Sequence, residues 1–308
     1  MSSHQRSGVF ISRISPIHTR PLRNLTLLLL LLSSLACARR VSTAAPAPVS
    51  LPEEPRLSLP ARPTPGTWSF KYLPGLLVYR IARSAAIESL SDSVPHREIS
   101  TNLTRESIQL TFSQDSALFT ASVDTFSVTT QGMIGPVQSV QLPYQLAGVI
   151  GEGGRPELSQ PLPSAPCNTA GSVLVADIHN LLSRFPTQLT SGMSWKDTLD
   201  VSICQALLPA TTHTIRSYIV VGAISFDDMT GVVIQRADTV MAHAEGAQQQ
   251  HHLIVDASGS GTATYYLEPA SGRILKLTTE QSLILTITAA NKPSRFRQTL
   301  HQNFELAR

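Results

Sequence analysis

The chain has few charged and few aromatic residues: Asp, Glu, Lys and Arg make up 15% of its 308 residues, and aromatic residues make up 6%. It also lacks a nucleophile elbow, a glycine-rich phosphate loop, a paired-histidine zinc helix and paired-cysteine zinc knuckles. Without these motifs the sequence offers no acid–base, nucleophilic or metal-binding constellation. We therefore expect no enzyme, no cofactor and no metal site.

Basic residues are not clustered in the body of the chain. The formal net charge is +3, but Arg6, Arg13, Arg20 and Arg23 fall within residues 1–36, which contain no acidic residue. Without that segment, 20 basic groups stand against 21 acidic groups, and the net charge is about −1. A near-neutral chain without a basic cluster is not expected to bind nucleic acid.

No apolar run is long enough to span a bilayer as a helix. The longest, from Leu25 to Cys37, covers about 13 residues, whereas a transmembrane helix needs roughly 20. Two arginines precede this run, and small residues lead to the cysteine at its end. This arrangement indicates a secretory signal.

The segment Ser34-Leu35-Ala36-Cys37 resembles the lipobox of bacterial lipoproteins, in which the cysteine after the cleavage point is lipidated. The resemblance implies that residues 1–36 are a signal peptide and that Cys37 anchors the mature chain in a membrane. One acyl chain binds only marginally, but the family's modification supplies three, which hold a protein permanently. Because Ala38 rather than Asp follows the cysteine, the resemblance implies the outer membrane of the bacterial cell envelope, facing the periplasm. The alternative is an ordinary signal peptide cut after Ala36 or near Ala38.

A proline-rich segment follows the cysteine. Residues 38–64 include Pro46, Pro48, Pro52, Pro55, Pro60 and Pro63. Such a composition favours extended polyproline geometry without a packed core. We predict that residues 37–64 are the lipidated cysteine with a tether, and that residues 65–308 are a single β-rich domain.

Three cysteines are present: Cys37, which follows the predicted signal peptide, and the pair Cys167 and Cys204 in the body of the chain. If Cys37 is acylated, Cys167 and Cys204 form an even pair in an oxidising compartment, where disulfides persist. A bridge between them would close a loop of about 37 residues and stabilise the fold by roughly 4 kcal/mol in the loop-entropy model. The alternative is a pair of buried free thiols.

Polar and apolar residues alternate along most of the body, which is typical of half-buried strands. Leu77, Tyr79 and Ile81, for example, share one face of a run that follows a Pro74-Gly75 turn. Further strands are predicted over 98–113, 117–130, 140–151, 211–226, 230–244, 249–256 and 262–268, with turns at 258–261 and 269–272. About ten strands with short connections predict a mainly β fold, a curled antiparallel meander that is half-barrel or barrel-like.

One helix is predicted near 172–185, and Pro186 ends it. Its apolar residues recur on a single face, which either closes a core or serves as a lid over an apolar interior of a curled sheet. Trp195, at the start of the next strand, either belongs to the core or lines a ligand cavity. The candidate lining or lid residues are Leu174, Ile178, Leu181, Leu182, Phe185 and Trp195.

The lipobox, the proline-rich tether and a long antiparallel sheet with one internal helix together resemble the LolA/LolB-type envelope lipoproteins. Those are open half-barrels that shelter acyl chains under helices, so the resemblance implies an apolar ligand, such as a lipid or acyl chain. The segment from Gly259 to Leu275 also resembles a hairpin shared by uncharacterised bacterial lipoproteins. We expect a lipid-anchored envelope protein that binds an apolar small molecule or lipid. The alternative is a structural or protein-interaction lipoprotein with a filled core and no ligand.

Overall fold

The computed structural model describes residues 63–90, 97–112, 117–131, 142–151, 154–159, 169–205, 208–226, 229–248 and 251–307. The predicted signal peptide, the predicted anchor Cys37, nearly all of the predicted tether, and Cys167 lie outside these residues. Thr64, the last residue of the predicted tether, pairs with Ala223: its N–H donates to the Ala223 carbonyl at 2.8 Å.

Thirteen strands and one helix make up the regular structure of the described residues. The helix, α1, is Thr169–Leu181. The strands are β1 (Thr67–Ser69), β2 (Gly75–Ser89), β3 (Arg97–Phe112), β4 (Ala117–Gln131), β5 (Tyr144–Ile150), β6 (Pro156–Leu158), β7 (Gln188–Thr190), β8 (Ser194–Gln205), β9 (Leu208–Phe226), β10 (Met229–Gln248), β11 (His251–Glu268), β12 (Arg273–Ala289) and β13 (Lys292–Leu306). Within this part of the chain, no helix has the length and apolar character needed to cross a bilayer.

Eleven of the strands form one antiparallel sheet in the order β6–β5–β4–β3–β2–β13–β12–β11–β10–β9–β8. Neighbours in the sheet are also neighbours among the strands of the chain, except β2 and β13, which pair in the middle. The short strands β1 and β7 form a second sheet. The large sheet curls into a half-barrel, as strongly twisted sheets of this width tend to do. The prediction of a mainly β, curled antiparallel meander with one helix is confirmed.

Apolar and polar residues alternate along the strands, so that one face of a strand packs in the core. In β2, Leu77, Tyr79 and Ile81 are buried, whereas the intervening Arg80 is exposed. The main core combines such strand residues with the apolar face of α1, and it includes Tyr79, Ile81, Phe119, Leu174, Ile178, Leu182, Tyr265, Leu277 and Phe304. A second cluster lies further along the strands and consists of Leu208, Ala210, Val240, Ala244, Val255, Ala257, Leu283 and Leu285.

The helix begins three residues earlier and ends four residues earlier than the predicted 172–185. Its end is set by Ser183, whose hydroxyl donates to the carbonyls of Asn180 at 2.9 Å and His179 at 3.1 Å. A side chain thus satisfies carbonyls that the end of a helix leaves without an N–H partner. The chain leaves the helix before Pro186, which disfavours helical geometry in the residue before it.

The turn predicted at 258–261 is wrong, because β11 continues through these residues. A Cβ atom added at Gly259 would lie 2.0 Å from the carbonyl oxygen of Ser282 in β12. Glycine at this position therefore permits a close approach of two strands, rather than a change of direction. The hairpin predicted at 269–272 is confirmed, with Gly272 at a φ of 68° between β11 and β12.

Candidate functional site

A cavity of about 450 Å³ is lined by α1 and by strands β2, β3 and β8 to β13. Cavities of this size hold small molecules in many proteins. The described residues contain no group of three or more His, Cys, Asp or Glu side chains that could hold a metal ion. The chemistry of the cavity is therefore that of its polar and apolar walls.

A band of polar side chains crosses the sheet at one end of the cavity. The register places Asp238 of β10 beside Arg216 of β9, and Arg216 beside Asp197 of β8. Further along the strand order, Gln302 of β13 lies beside Arg83 of β2. Cross-strand partners contact each other, so these side chains form a continuous surface. We call it the polar belt: Arg83, Asn102, Asp197, Arg216, Arg236, Asp238, Thr279 and Gln302.

Further along the same faces of the strands, the lining becomes apolar. In β10, Val240 and Ala242 follow Asp238 at spacings of two and four residues, and in β8 Leu199 follows Asp197. We call this surface the apolar wall: Leu199, Val201, Ile203, Val240, Ala242, Ala257 and Leu283. The apolar wall continues into the second cluster, which includes three residues of the wall, Val240, Ala257 and Leu283. The cavity is therefore amphipathic, with charged groups at one end and the apolar wall at the other, where polar side chains such as Thr212, Glu280 and Gln298 also border it.

Small residues occupy the face of β11 beside the cavity. Ala257, Gly259, Gly261 and Ala263 alternate along the strand and share one face. Ala257 lines the cavity with no more than a methyl group. At Gly259 and Gly261 an added Cβ atom would lie 2.0 and 2.8 Å from carbonyl oxygens of β12, so these glycines permit the close approach of that strand.

Three arginines of the polar belt attach the second half of α1 to the sheet. Arg83 forms an ion pair with Asp177. Arg216 donates from Nη1 to the His179 carbonyl at 3.0 Å. Arg236 donates from Nη1 to Asn180 Oδ1 at 3.1 Å. The face of α1 opposite its apolar stripe is thus buried by polar contacts, and its position over the sheet is fixed.

Arg83 lies between two buried acids. Its Nη2 is 3.3 Å from Glu106 Oε1, and it pairs with Asp177 as well. Burial raises the pKa of Glu106 well above its ordinary range, the neighbouring Asp177 carboxylate raises it further, and Arg83 lowers it. Glu106 Oε2 and Asp177 Oδ1 are buried without another partner. Burial raises the pKa of Asp177 as well, so both acids favour the protonated form more than an exposed carboxyl does.

Arg236 has its own carboxylate. Its Nη2 and Nε lie 2.8 and 3.1 Å from Asp238 Oδ2, and Nη1 also donates to the Tyr265 hydroxyl. That hydroxyl in turn lies 3.1 Å from Ser183 Oγ. Arg236 therefore links α1, β10 and β11 as part of an ion pair.

Arg216 differs from the other two arginines. It is 7% exposed, and among the described residues it forms no ion pair, since its partners are the His179 carbonyl and Asn180 Oδ1 at 3.0 and 3.5 Å. Its Nε has no partner. Asp197, its neighbour in the register, is paired with Arg155. Burial lowers the pKa of His179 to about 4, and the charge of Arg216 lowers it too, so His179 is neutral at pH 7.

The six predicted lining or lid residues lie together in the main core and do not line the cavity. Leu174, Ile178, Leu181 and Leu182 are at most 2% exposed. Phe185 follows the helix and has its ring centroid 5.3–6.2 Å from those of Phe70, Trp195, Tyr218 and Tyr265. The Trp195 ring stacks on Tyr218 at 4.8 Å. The apolar face of the helix thus closes a core, whereas the cavity is bordered by residues such as Val173, Ala176 and Asn180 of the same helix.

Cys204 lies at the border of the cavity and is adjacent to the start of the helix. Its backbone N–H donates to Ser172 Oγ at 2.8 Å. Cys167 lies outside the described residues, so the disulfide between the two cysteines stays a prediction.

The chain matches no protein-family model, and none of the curated proteins is similar to it at a significant level.

Proposed function

We propose that this protein is a lipid-anchored protein of the bacterial cell envelope that binds an apolar ligand, a lipid or an acyl chain, in the cavity beside α1. The observation that carries this proposal is the apolar wall, which borders a space of about 450 Å³. Each methylene group transferred from water to such a wall contributes about 0.8 kcal/mol. The amphipathic lining favours a ligand with a polar end and a hydrocarbon chain.

The lipobox resemblance at Cys37 supports the anchor. Replacing Cys37 by serine removes the acylated thiol, so we expect the protein to move from the membrane fraction to the soluble fraction of its host. An inhibitor of lipoprotein signal cleavage should also leave a larger precursor. Unchanged fractionation of Cys37→Ser would rule out the lipid anchor without bearing on the cavity.

The binding site is tested with a variant that fills the cavity. Ala242 belongs to the apolar wall, and its neighbour Met241 points to the other face of β10 with 48% exposure. We expect Ala242→Phe to weaken the binding of decanol, a probe with a ten-carbon chain, by about fourfold to fifteenfold, because the ring displaces one or two methylene groups of the chain from the wall. Met241→Phe adds a ring outside the cavity and should leave the affinity unchanged. Isothermal titration calorimetry measures both.

The absence of decanol binding to the unmodified domain, or equal weakening by both variants, would contradict the proposed site. Native mass spectrometry of protein purified from its own host provides a second readout. Co-purifying lipid is expected from a binding protein, whereas none is expected from the alternative, a structural lipoprotein without a ligand.

A further inference from the structure

We propose that the ligand is an amphiphile with a single negative charge, a carboxylate or a phosphate ester, and that its headgroup binds to Arg216 while its chain lies along the apolar wall. This inference rests on the proposed function, and it adds the chemical class of the headgroup. It follows from the charges around the cavity, the free hydrogen-bonding positions of Arg216 and the order of polar and apolar rows along the strands.

One of the four arginines in and beside the polar belt has no described ion-pair partner. The four guanidinium groups are those of Arg83, Arg155, Arg216 and Arg236. Three of them have carboxylate partners, in Asp177 and Glu106, Asp197, and Asp238. Glu280 of the cavity lining is paired with His301. The guanidinium without a described ion-pair partner is that of Arg216.

A buried cation without a counter-charge is unfavourable, because it has lost its hydration without gaining an ion pair. Arg216 is held in that situation by α1: its Nη1 donates to the His179 carbonyl at 3.0 Å. Asp238, beside it in the register, is bound by Arg236 at 2.8 Å. An anion that enters the cavity therefore meets a guanidinium without a described ion pair, while Asp238 is engaged by Arg236 through Oδ2 and its Oδ1 has no described partner.

Two nitrogens of Arg216 have the geometry that an anionic headgroup requires. Nε is buried and has no partner among the described residues, so a headgroup reaches it by displacing the atoms that cover it. Nη2 has a long contact of 3.5 Å to Asn180 Oδ1. These two nitrogens form one side of the planar guanidinium, which binds a carboxylate or phosphate through two parallel hydrogen bonds. A headgroup on this side leaves the bond from Nη1 to the helix intact.

The order of the lining residues along the strands then determines where the hydrocarbon chain of the ligand lies. On β9, Thr214 precedes Arg216 by two residues and shares its face, and both line the cavity. In the adjacent strands, Leu199 and Val240 lie beside Thr214. A ligand whose headgroup is at Arg216 therefore places its first methylene groups at the beginning of the apolar wall. The space ahead of it contains no further charged group on these three strands.

The experiment uses four probes with a ten-carbon chain: decanoate, decyl methyl phosphate, which carries one negative charge, decanol and decyltrimethylammonium. Each is titrated by calorimetry at pH 7 into the full chain carrying Cys37→Ser, so that no acyl chain is attached to the protein. A charge-assisted bidentate pair corresponds to about a tenfold to hundredfold gain in affinity. We expect the anionic probes to bind tighter than decanol by this factor, and the cationic probe to bind more weakly than decanol.

Variants of Arg216 assign that gain to one side chain. Arg216→Gln should reduce the affinity for decanoate to that for decanol, and leave decanol unchanged. Arg216→Lys keeps the charge without the planar fork and should retain part of the preference. Arg80→Gln removes the same charge from the exposed face of β2 and should have no effect. If Arg216→Gln does not fold, Arg216→Lys and the four probes on the unmodified side chain still decide.

Equal affinity for decanoate and decanol, or an anion preference that survives in Arg216→Gln, would overturn this inference and leave the proposed function intact. Failure of all four probes to bind would contradict the proposed function itself. A preference for either anion supports the inference, and the order of the two separates a fatty acid from a lipid phosphate.

Discussion

At the scale of single residues, Arg83 and its two acids are a buried charged group on which the position of the helix depends. The side chains of Arg83, Asp177 and Glu106 are 5%, 1% and 0% exposed. Acids buried this deeply are tolerated only when a cation or a shared proton compensates them.

Replacing Arg83 by methionine is expected to lower the free energy of unfolding by about 3–5 kcal/mol, since it leaves buried acids without their counter-charge. Urea denaturation measures this loss. The matched control is Arg80→Met, three residues earlier and exposed on the same strand, for which we expect a change within about 0.5 kcal/mol. Equal effects of the two substitutions would show that the arrangement around Arg83 is not the one described.

The proton of Glu106 makes stability depend on pH. Burial raises the pKa of Glu106 in the folded chain, whereas in the unfolded chain it is about 4.3. Between these two values the folded chain binds the proton and the unfolded chain does not, so the free energy of unfolding falls as the pH rises through this range.

Glu106→Gln keeps the shape of the side chain and removes its titration. We expect this variant to lose up to about 1.4 kcal/mol per pH unit of the downward slope above about pH 4. Denaturant titrations at a series of pH values provide the comparison. Glu245→Gln, at a carboxylate that is 56% exposed, should retain the slope of the unmodified chain. An unchanged slope in Glu106→Gln would mean that Glu106 is ionised in the folded chain.

At the scale of elements, local patterns predicted most of what the structure contains. Alternation predicted the long strands, and the apolar stripe of α1 predicted a helix that packs on them. The same stripe gave no indication that Asp177 and Asn180, on another face of the helix, are also buried. Asp177 meets Arg83 over a separation of 94 residues, and no periodicity within one element reports such a contact. The sequence feature that could have indicated buried charged groups was Asp197, a charged residue on the otherwise apolar face of β8.

The largest local error of the sequence prediction was the turn predicted at the glycine-containing segment 258–261. The segment 258–261 has a composition typical of turns, yet both of its glycines lie within β11. Their role depends on how closely β12 approaches. This approach is a property of the assembled sheet, which is why a local pattern could not separate them from a turn.

Phe185 tests the core that joins the helix to the sheet. It is 6% exposed and contacts aromatic rings from four separate segments, so Phe185→Ala should cost about 3–5 kcal/mol of the free energy of unfolding. Phe112→Ala removes the same ring from a position that is 46% exposed, and it should cost less than about 1 kcal/mol. Similar losses in the two variants would contradict the packing of Phe185 between helix and sheet.

At the scale of the whole domain, the pairing of β2 with β13 joins the two halves of the sheet. This pairing brings Glu88 within 3.4 Å of Arg297 over a separation of 209 residues. The helix contacts β4 and β5 from one half and β8 from the other. The chain pattern predicted that the sheet curls, but the position of the helix, and hence of the cavity, depends on these long-range contacts.

The same arrangement divides the interior into three levels along the strands: the main core, the polar belt and the apolar wall with the second cluster. A protein with a filled core would need only the main core, without the polar belt and the apolar wall. The belt holds the helix in place and sets a charged surface beside a mainly apolar surface, and Ala257 of β11 adds only a methyl group to the lining between them. These features together favour a binding protein over a scaffold.

The most direct measurement is an anomalous difference map from crystals of the protein with 10-bromodecanoate. The account predicts a single bromine peak inside the cavity, beside Val201, Ala242 and Leu283 of the apolar wall, with the carboxylate at Arg216. A bromine peak beside Arg216, a peak outside the cavity, or no bound ligand at saturating concentration would contradict it.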